Sequence, residues 1–262
     1  MQACINENSR IVGTLTIVSG VLALGSMLTG LIATNFDSEA FSNPVLILNM
    51  ESATPSMIRW FMLLDMFGYY LLLLPVIFYV HKQAKYKSSW TSLVTFSGYG
   101  YVIIGAIGAA MLAAAWPSLI VKFRQAQPEH RQLYQELFLL TNELVVKGVW
   151  NILEMFLASA WWIGVAFLVP VSRSLRITTV ALGVACVVDA VGEMLGLEVV
   201  AETGLNVYLV AAIVWAVWFG VAVLRARASR TPSASRFSNP PSHSNAHASN
   251  TVRTEAIPMT KH

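Results

Sequence analysis

Six long apolar stretches, separated by short polar ones, decide what this chain can fold into. They cover residues 11–33, 58–80, 92–121, 144–169, 177–197 and 205–224. A spanning helix needs about 20 mostly apolar residues, and each stretch meets that length. The chain is 56% hydrophobic and 12% charged over 262 residues. A soluble domain carries about 25% charged residues, so most of this surface is built for lipid. The sequence therefore predicts an all-α, polytopic transmembrane bundle of six helices over residues 1–225. The partner it implies first is the lipid bilayer.

The ends of the chain read differently. The first apolar run is too long for a signal-peptide core and lacks a small-x-small cleavage site, so it is expected to be retained. From residue 226 to 262 the composition shifts to Ser, Pro, Asn, Thr and Arg. Such a segment buries too little apolar surface to fold alone and is expected to be a disordered cytoplasmic tail. Its histidines are scattered, which excludes a compact metal site there. Cys4 and Cys186 are far apart and have no Cys or His at ligand spacing, so neither a disulfide nor a metal centre is expected. The net charge of +3 is spread over loops and tail and leaves no nucleic-acid footprint.

Basic residues set the expected orientation. Arg10, Lys82, Lys85, Lys87, Arg173, Arg176, Arg225, Arg227 and Arg230 all fall on one side if the helices alternate. The opposite side holds Lys122, Arg124 and Arg131, offset by Glu129 and Glu136, and the acidic segments with Asp37, Glu39, Glu51, Glu198 and Glu202. Both termini are expected in the cytoplasm, with the plasma (inner) membrane as the location. The outer loop 34–57 is long, and its middle, 43–49, is apolar but too short to span. It reads as interfacial or partly re-entrant, or as a plain extracellular loop.

Four carboxylates interrupt the apolar stretches: Asp65, Glu154, Asp189 and Glu193. An ionisable group inside a membrane helix is costly, which makes each a functional-site hypothesis. With cytoplasmic termini, a rise of 1.5 Å per residue puts Asp65 ~10 Å, Glu154 ~15 Å, Asp189 ~12 Å and Glu193 ~6 Å below the outer end. All four then share the outer half of the bilayer. Faces agree as well. Lys147, Asn151 and Glu154 follow i, i+4, i+7 on the fourth helix. Asp189 and Glu193 follow i, i+4 on the fifth, with Leu182 and Cys186 on the same stripe. Asp65 pairs with Tyr69 on the second helix, and Ser97 with Tyr101 on the third. Lipid satisfies none of these groups, so they are expected to face the interior.

The sequence thus points to an outward-opening acidic pocket whose ligand-binding residues are Asp65, Tyr69, Tyr101, Lys147, Asn151, Glu154, Asp189 and Glu193. One lysine cannot balance four acids, so at least one carboxyl group is expected to be neutral. Loss of Lys147 is expected to strand its partners at a cost of several kcal/mol. The opposing interpretation is that these acids bind only Lys147, backbone or one another and fix helix packing.

Smaller signals concern packing. Gly105, Ala109 and Ala113 recur every four residues on the third helix and suit either close packing inside the bundle or a homo-oligomer face. Trp161 and Trp162 read as interfacial anchors, and Trp150 as a packing or stacking residue nearer the acids. Asp65-x-x-Gly68 and Asp189-x-x-Gly192 raise an inverted repeat of two three-helix halves.

No phosphate-cradling glycine loop, His-Glu-x-x-His, Cys-x-x-Cys or Gly-x-Ser-x-Gly occurs. No histidine lies deep in a helix, which speaks against histidine-ligated haem. No cofactor and no catalytic residue are assigned. The run Arg10-Ile-Val-Gly13, the loop end Ile47-Leu-Asn-Met-Glu51, Ile58-Arg59 and the intrahelical Asp65 resemble the six-helix, mostly bacterial membrane proteins grouped as domain of unknown function 4386. The resemblance covers about residues 10–224. It implies a six-helix bundle, without an established activity or site residues. Three functions stay open: binding or moving a small molecule or cation, with proton coupling; a membrane enzyme using a neutral carboxylic acid on a lipophilic substrate, broadly like terpene cyclases; or a non-catalytic interaction or sensor component.

Overall fold

The computed structural model describes residues 2–228 except 38, 39, 41, 42, 86, 87 and 171, with side chains from 9 to 226. Glu39, Lys87, the side chains of Cys4 and Arg227, and the tail from 229 onward lie outside what is described.

Among the described residues the secondary structure is helical, and six helical spans are long and apolar enough to cross a membrane. They run Ser9–Ala33, Pro55–Ala84, Thr91–Gln125, Pro128–Leu168, Arg173–Met194 and Glu198–Ala226. The chain is a polytopic, all-α membrane protein. Each span packs on the next in sequence, and the sixth packs on the first, so the bundle closes on itself.

The first span is α1, Gln2–Ala33. The second is broken. Helix α3, Pro55–Asp65, starts behind Thr54, whose hydroxyl accepts the Met57 N–H at 3.2 Å. A π turn, Met66–Tyr70, and a 3₁₀ turn, Leu71–Leu73, then lead into α4, Leu74–Ala84. Pro75 supplies the physical cause. It brings no N–H to the ladder and crowds the preceding turn, so the helix rewinds above it. The carbonyls near the break accept side-chain donors from neighbouring spans. Ser19 donates to Gly68, and the Tyr101 hydroxyl donates to the Tyr69 carbonyl at 2.7 Å.

The third span, α5, is one helix over Thr91–Gln125. The fourth combines α6, Pro128–Asn142, a π-helical segment, Glu143–Glu154, and α7, Met155–Leu168. The sequence places its start near residue 144, because α6 is too polar to qualify as a membrane window. Its Glu, Gln, Arg and Leu residues nonetheless favour helix, and Pro128 sits in the first turn where its missing N–H costs nothing. Phe138 anchors α6 by stacking on Trp116 of α5, ring centroids 5.2 Å apart.

The fifth span is α8, Arg173–Met194, and the sixth is α9, Glu198–Ala228. Between them Gly196 takes φ +67°, and Gly196 and Leu197 donate back to Glu193 and Gly192. This left-handed cap ends α8 before Leu197 and lets α9 begin at Glu198, seven residues ahead of the apolar window.

Where it is described, loop 34–57 packs onto the bundle rather than running free. Its short helix α2, Leu46–Asn49, buries Ile47 and Leu48. Arg124 of α5 donates to the carbonyls of Leu48, Met50 and Ala53 at 3.2, 2.6 and 3.1 Å. Ile47, Leu48 and Ala53 join Ile58, Met62, Trp116 and Phe138 in one apolar cluster. A second cluster, richer in aromatics, holds Tyr69, Tyr101, Trp161, Trp162, Tyr208 and Trp215. Trp161 and Trp162 are therefore not interfacial anchors: they are 2% and 1% exposed. Trp162 meets Trp215 edge-on at 4.6 Å.

Gly68 brings the π turn against α1. A Cβ there meets the Ala23 backbone nitrogen at 2.4 Å, whereas a Cβ at Gly25 meets only a Leu64 methyl at 3.8 Å. Gly68→Ala should destabilise the protein by about 1–3 kcal/mol through overpacking. Gly25→Ala should leave the thermal midpoint in detergent unchanged, and that pair of melting curves is the check.

Candidate functional site

Three of the predicted acids come together from three spans. Asp65 closes α3, Glu154 closes the π segment of the fourth span, and Asp189 lies on α8. They are 8%, 0% and 0% exposed. Asp65 and Asp189 both lie within Coulombic range of Glu154.

Their hydrogen bonding is incomplete. Asp65 Oδ2, Glu154 Oε1 and both carboxylate oxygens of Asp189 are buried without a partner. Glu154 Oε2 accepts the Tyr70 hydroxyl at 3.1 Å. Desolvating a carboxylate is costly unless it is paired, so a cluster like this stores a strong demand for a positive charge or a proton.

A tyrosine network holds the cluster. The Tyr101 and Tyr208 hydroxyls are 2.7 Å apart, and Tyr69 donates to the Leu209 carbonyl at 3.2 Å. These bonds tie the second, third and sixth spans together beside the acids. The Tyr70 ring lies edge-on to Tyr101, centroids 5.6 Å apart, and 6.5 Å from Trp150. The Trp150 indole donates to the Gly105 carbonyl at 3.1 Å, so Trp150 is a hydrogen-bonded packing residue of this layer.

Lys147 is placed differently from the sequence expectation. Its ammonium pairs with Glu143 at 3.0 Å, and the side chain is 36% exposed. The expectation assumed 3.6 residues per turn, which superposes positions seven apart. The π segment is wound with i→i+5 bonds, so seven residues no longer complete two turns. Lys147 is carried off the face of Glu154. Asn151 stays inside and approaches Glu193 Oε2 at 3.5 Å. Glu193 is half-buried, and with the exposed Glu198 it lies within Coulombic range of Lys147.

The arrangement is closed. Asp65, Glu154 and Asp189 sit in packed interior rather than in the open vestibule expected from their depth. Two shallow surface grooves occur elsewhere. One, of about 400 Å³, runs between Trp90 and Phe167, and the other, of about 580 Å³, between Arg176 and Val207. No three His, Cys, Asp or Glu side chains among the described residues form a metal-binding set.

Gly105, Ala109 and Ala113 are all buried within this chain. The Tyr70 ring occupies the space a Cβ at Gly105 would take, so this stripe packs against the chain's own second span. The two Asp-x-x-Gly segments are locally unlike: Asp65 enters a π turn and Asp189 stays in regular α-helix.

Sequence reasoning missed Tyr70 and Tyr208. Their signal was available, since a tyrosine hydroxyl in an apolar span must find a polar partner. Comparison with known families, with curated proteins and with solved structures finds no match to this chain.

The ion-pair geometry reverses one expectation about stability. Lys147→Met removes only a partly exposed pair and should cost at most about 1 kcal/mol. Tyr70→Phe leaves Glu154 Oε2 without its donor and should cost about 1–3 kcal/mol. Denaturation midpoints of the two variants in one detergent rank them.

Proposed function

We propose that this integral membrane protein binds and moves a small solute through its helical bundle, with the carboxyl cluster taking up and releasing a proton during the cycle. One observation carries the proposal. Asp65, Glu154 and Asp189 converge in the interior with unpartnered oxygens and no basic side chain among their partners. A packing role alone would favour satisfied groups, because a half-satisfied polar cluster is less stable than an apolar one.

Two details support the reading. Asp65 abuts one π-helical segment and Glu154 ends the other. Such segments occur mostly as insertions within α-helices, frequently at functional sites. Also, no three His, Cys, Asp or Glu side chains among the described residues form a metal-binding set, so the reading takes a proton rather than a bound metal ion as the coupling charge. The resemblance to domain of unknown function 4386 is compatible with this role and adds no residue assignments.

In this proposal the protein lies in the plasma membrane with cytoplasmic termini, as the basic-residue bias implies. A cysteine at Glu202 should then be labelled by an impermeant maleimide on intact cells. Labelling only after permeabilisation would turn the Glu193 end of the bundle toward the cytoplasm.

Proton exchange is tested by infrared difference spectroscopy of the reconstituted protein across the physiological pH range. A carboxyl carbonyl band should appear and disappear with pH, and Glu154→Gln or Asp189→Asn should remove it from a folded protein. A wild-type spectrum with no titrating buried carboxyl group would end the proposal.

A further inference from the structure

We propose that the solute handled by this site is a small organic ammonium ion, taken up in exchange for protons. The inference rests on the proton-exchange reading above and adds the chemical class of the substrate.

Side chains from four other spans surround Glu154. From the second span come Asp65 and Tyr70, from the third Tyr101, from the fifth Cys186 and Asp189, and from the sixth Tyr208. All are acidic or neutral, and none is basic. A ligand that completes this set in place of a proton must bring positive charge.

The surrounding side chains also select the kind of cation. A hard metal ion needs several oxygens in one shell, and no such set is present among the described residues. Aromatic rings are present instead. Tyr70 lies between Tyr101 and Trp150, with centroids 5.6 and 6.5 Å away, and Tyr208 is bonded to Tyr101. Ring faces attract an ammonium ion through their quadrupole, and aromatic cages are the recurrent way to hold a quaternary ammonium. Carboxylates supply the charge, and rings supply a surface that a dehydrated organic cation accepts.

A third, separate observation lies nearer the surface. Lys147 is engaged by Glu143, while Glu193 and Glu198 stand close to it. The rim between the fourth span and the α8–α9 turn therefore carries an excess of acid over base. Buried Asn151 contacts Glu193 of this rim at 3.5 Å. An acidic rim concentrates cations and repels anions, which is the selectivity this substrate class requires.

The test uses choline and its uncharged carbon isostere, 3,3-dimethylbutanol. The full-length protein is placed in nanodiscs of phosphatidylglycerol, so that no ammonium lipid is present. Binding is read by equilibrium dialysis, with empty discs subtracted. Choline should bind saturably, at least tenfold more tightly than the isostere, and its affinity should fall about tenfold per unit of falling pH if one proton is exchanged. Glu154→Gln should abolish the binding. Should that variant fail to fold, Asp189→Asn and Trp150→Leu serve, each expected to weaken binding at least tenfold. Tyr70→Phe keeps the ring and should retain binding within a few-fold. Discs containing phosphatidylcholine separate the two sources of the same headgroup. Unchanged choline affinity there supports a free solute, and competition by the lipid would overturn it. Equal binding of the isostere, binding independent of pH, or no saturable choline binding would each refute the proposal. A pH-titrating carboxyl band with no choline binding would leave proton exchange standing and remove the ammonium class. Absence of that band would remove both.

Discussion

An apolar interior gives a polar group no second chance: its partner is inside the protein or it has none. The architecture around the second span follows from that constraint. Pro75 interrupts the helix, and the rewound turn brings carbonyls of Gly68 and Tyr69 into contact with donors on other spans. Ser19 and Tyr101 are those donors. Meeting the constraint thus also docks the first and third spans against the second. Tyr101 then reaches Tyr208, and the sixth span joins the same arrangement. The acids sit beside it, where polar groups from several spans already come together.

Against that background the incomplete bonding of Asp65, Glu154 and Asp189 stands out. The chain finds partners for hydroxyls and carbonyls over sequence separations as large as 140 residues, yet leaves four carboxylate oxygens without any. The contrast is internal to the protein and does not depend on a comparison with relatives. It is the physical ground for treating the cluster as a place where charge enters and leaves.

The spans were legible because their signal is simple: length and apolar content are what a bilayer selects. The acids were legible for the complementary reason, being rare where they stand. What failed were inferences that assumed regular winding or a sharp border between lipid and water. Lys147 was placed with Glu154 by counting 3.6 residues per turn, but the fourth span is π-wound between them. Trp161 and Trp162 were placed at the interface by their distance from a helix end, but Gly98 on the third span opens room for Trp161 in the core. Helix α6 was missed because hydropathy reports the solvent a helix prefers, not whether it is helical. The partners of Tyr70 and Tyr208 lie 84 and 107 residues away in sequence, a pairing no local pattern reveals.

The hold of Arg124 on loop 34–57 has a consequence of its own. All three of its hydrogen bonds end on main-chain oxygens, at Leu48, Met50 and Ala53. Every residue type offers that carbonyl, so the grip is blind to which side chains the loop carries. The forked guanidinium can serve several acceptors at once, which a lysine ammonium does with less geometric definition. The loop is therefore free to exchange its outward side chains without leaving its seat. Part of its position is encoded about 70 residues away, in a side chain on another helix, and the chemistry of its outward face is left open to change.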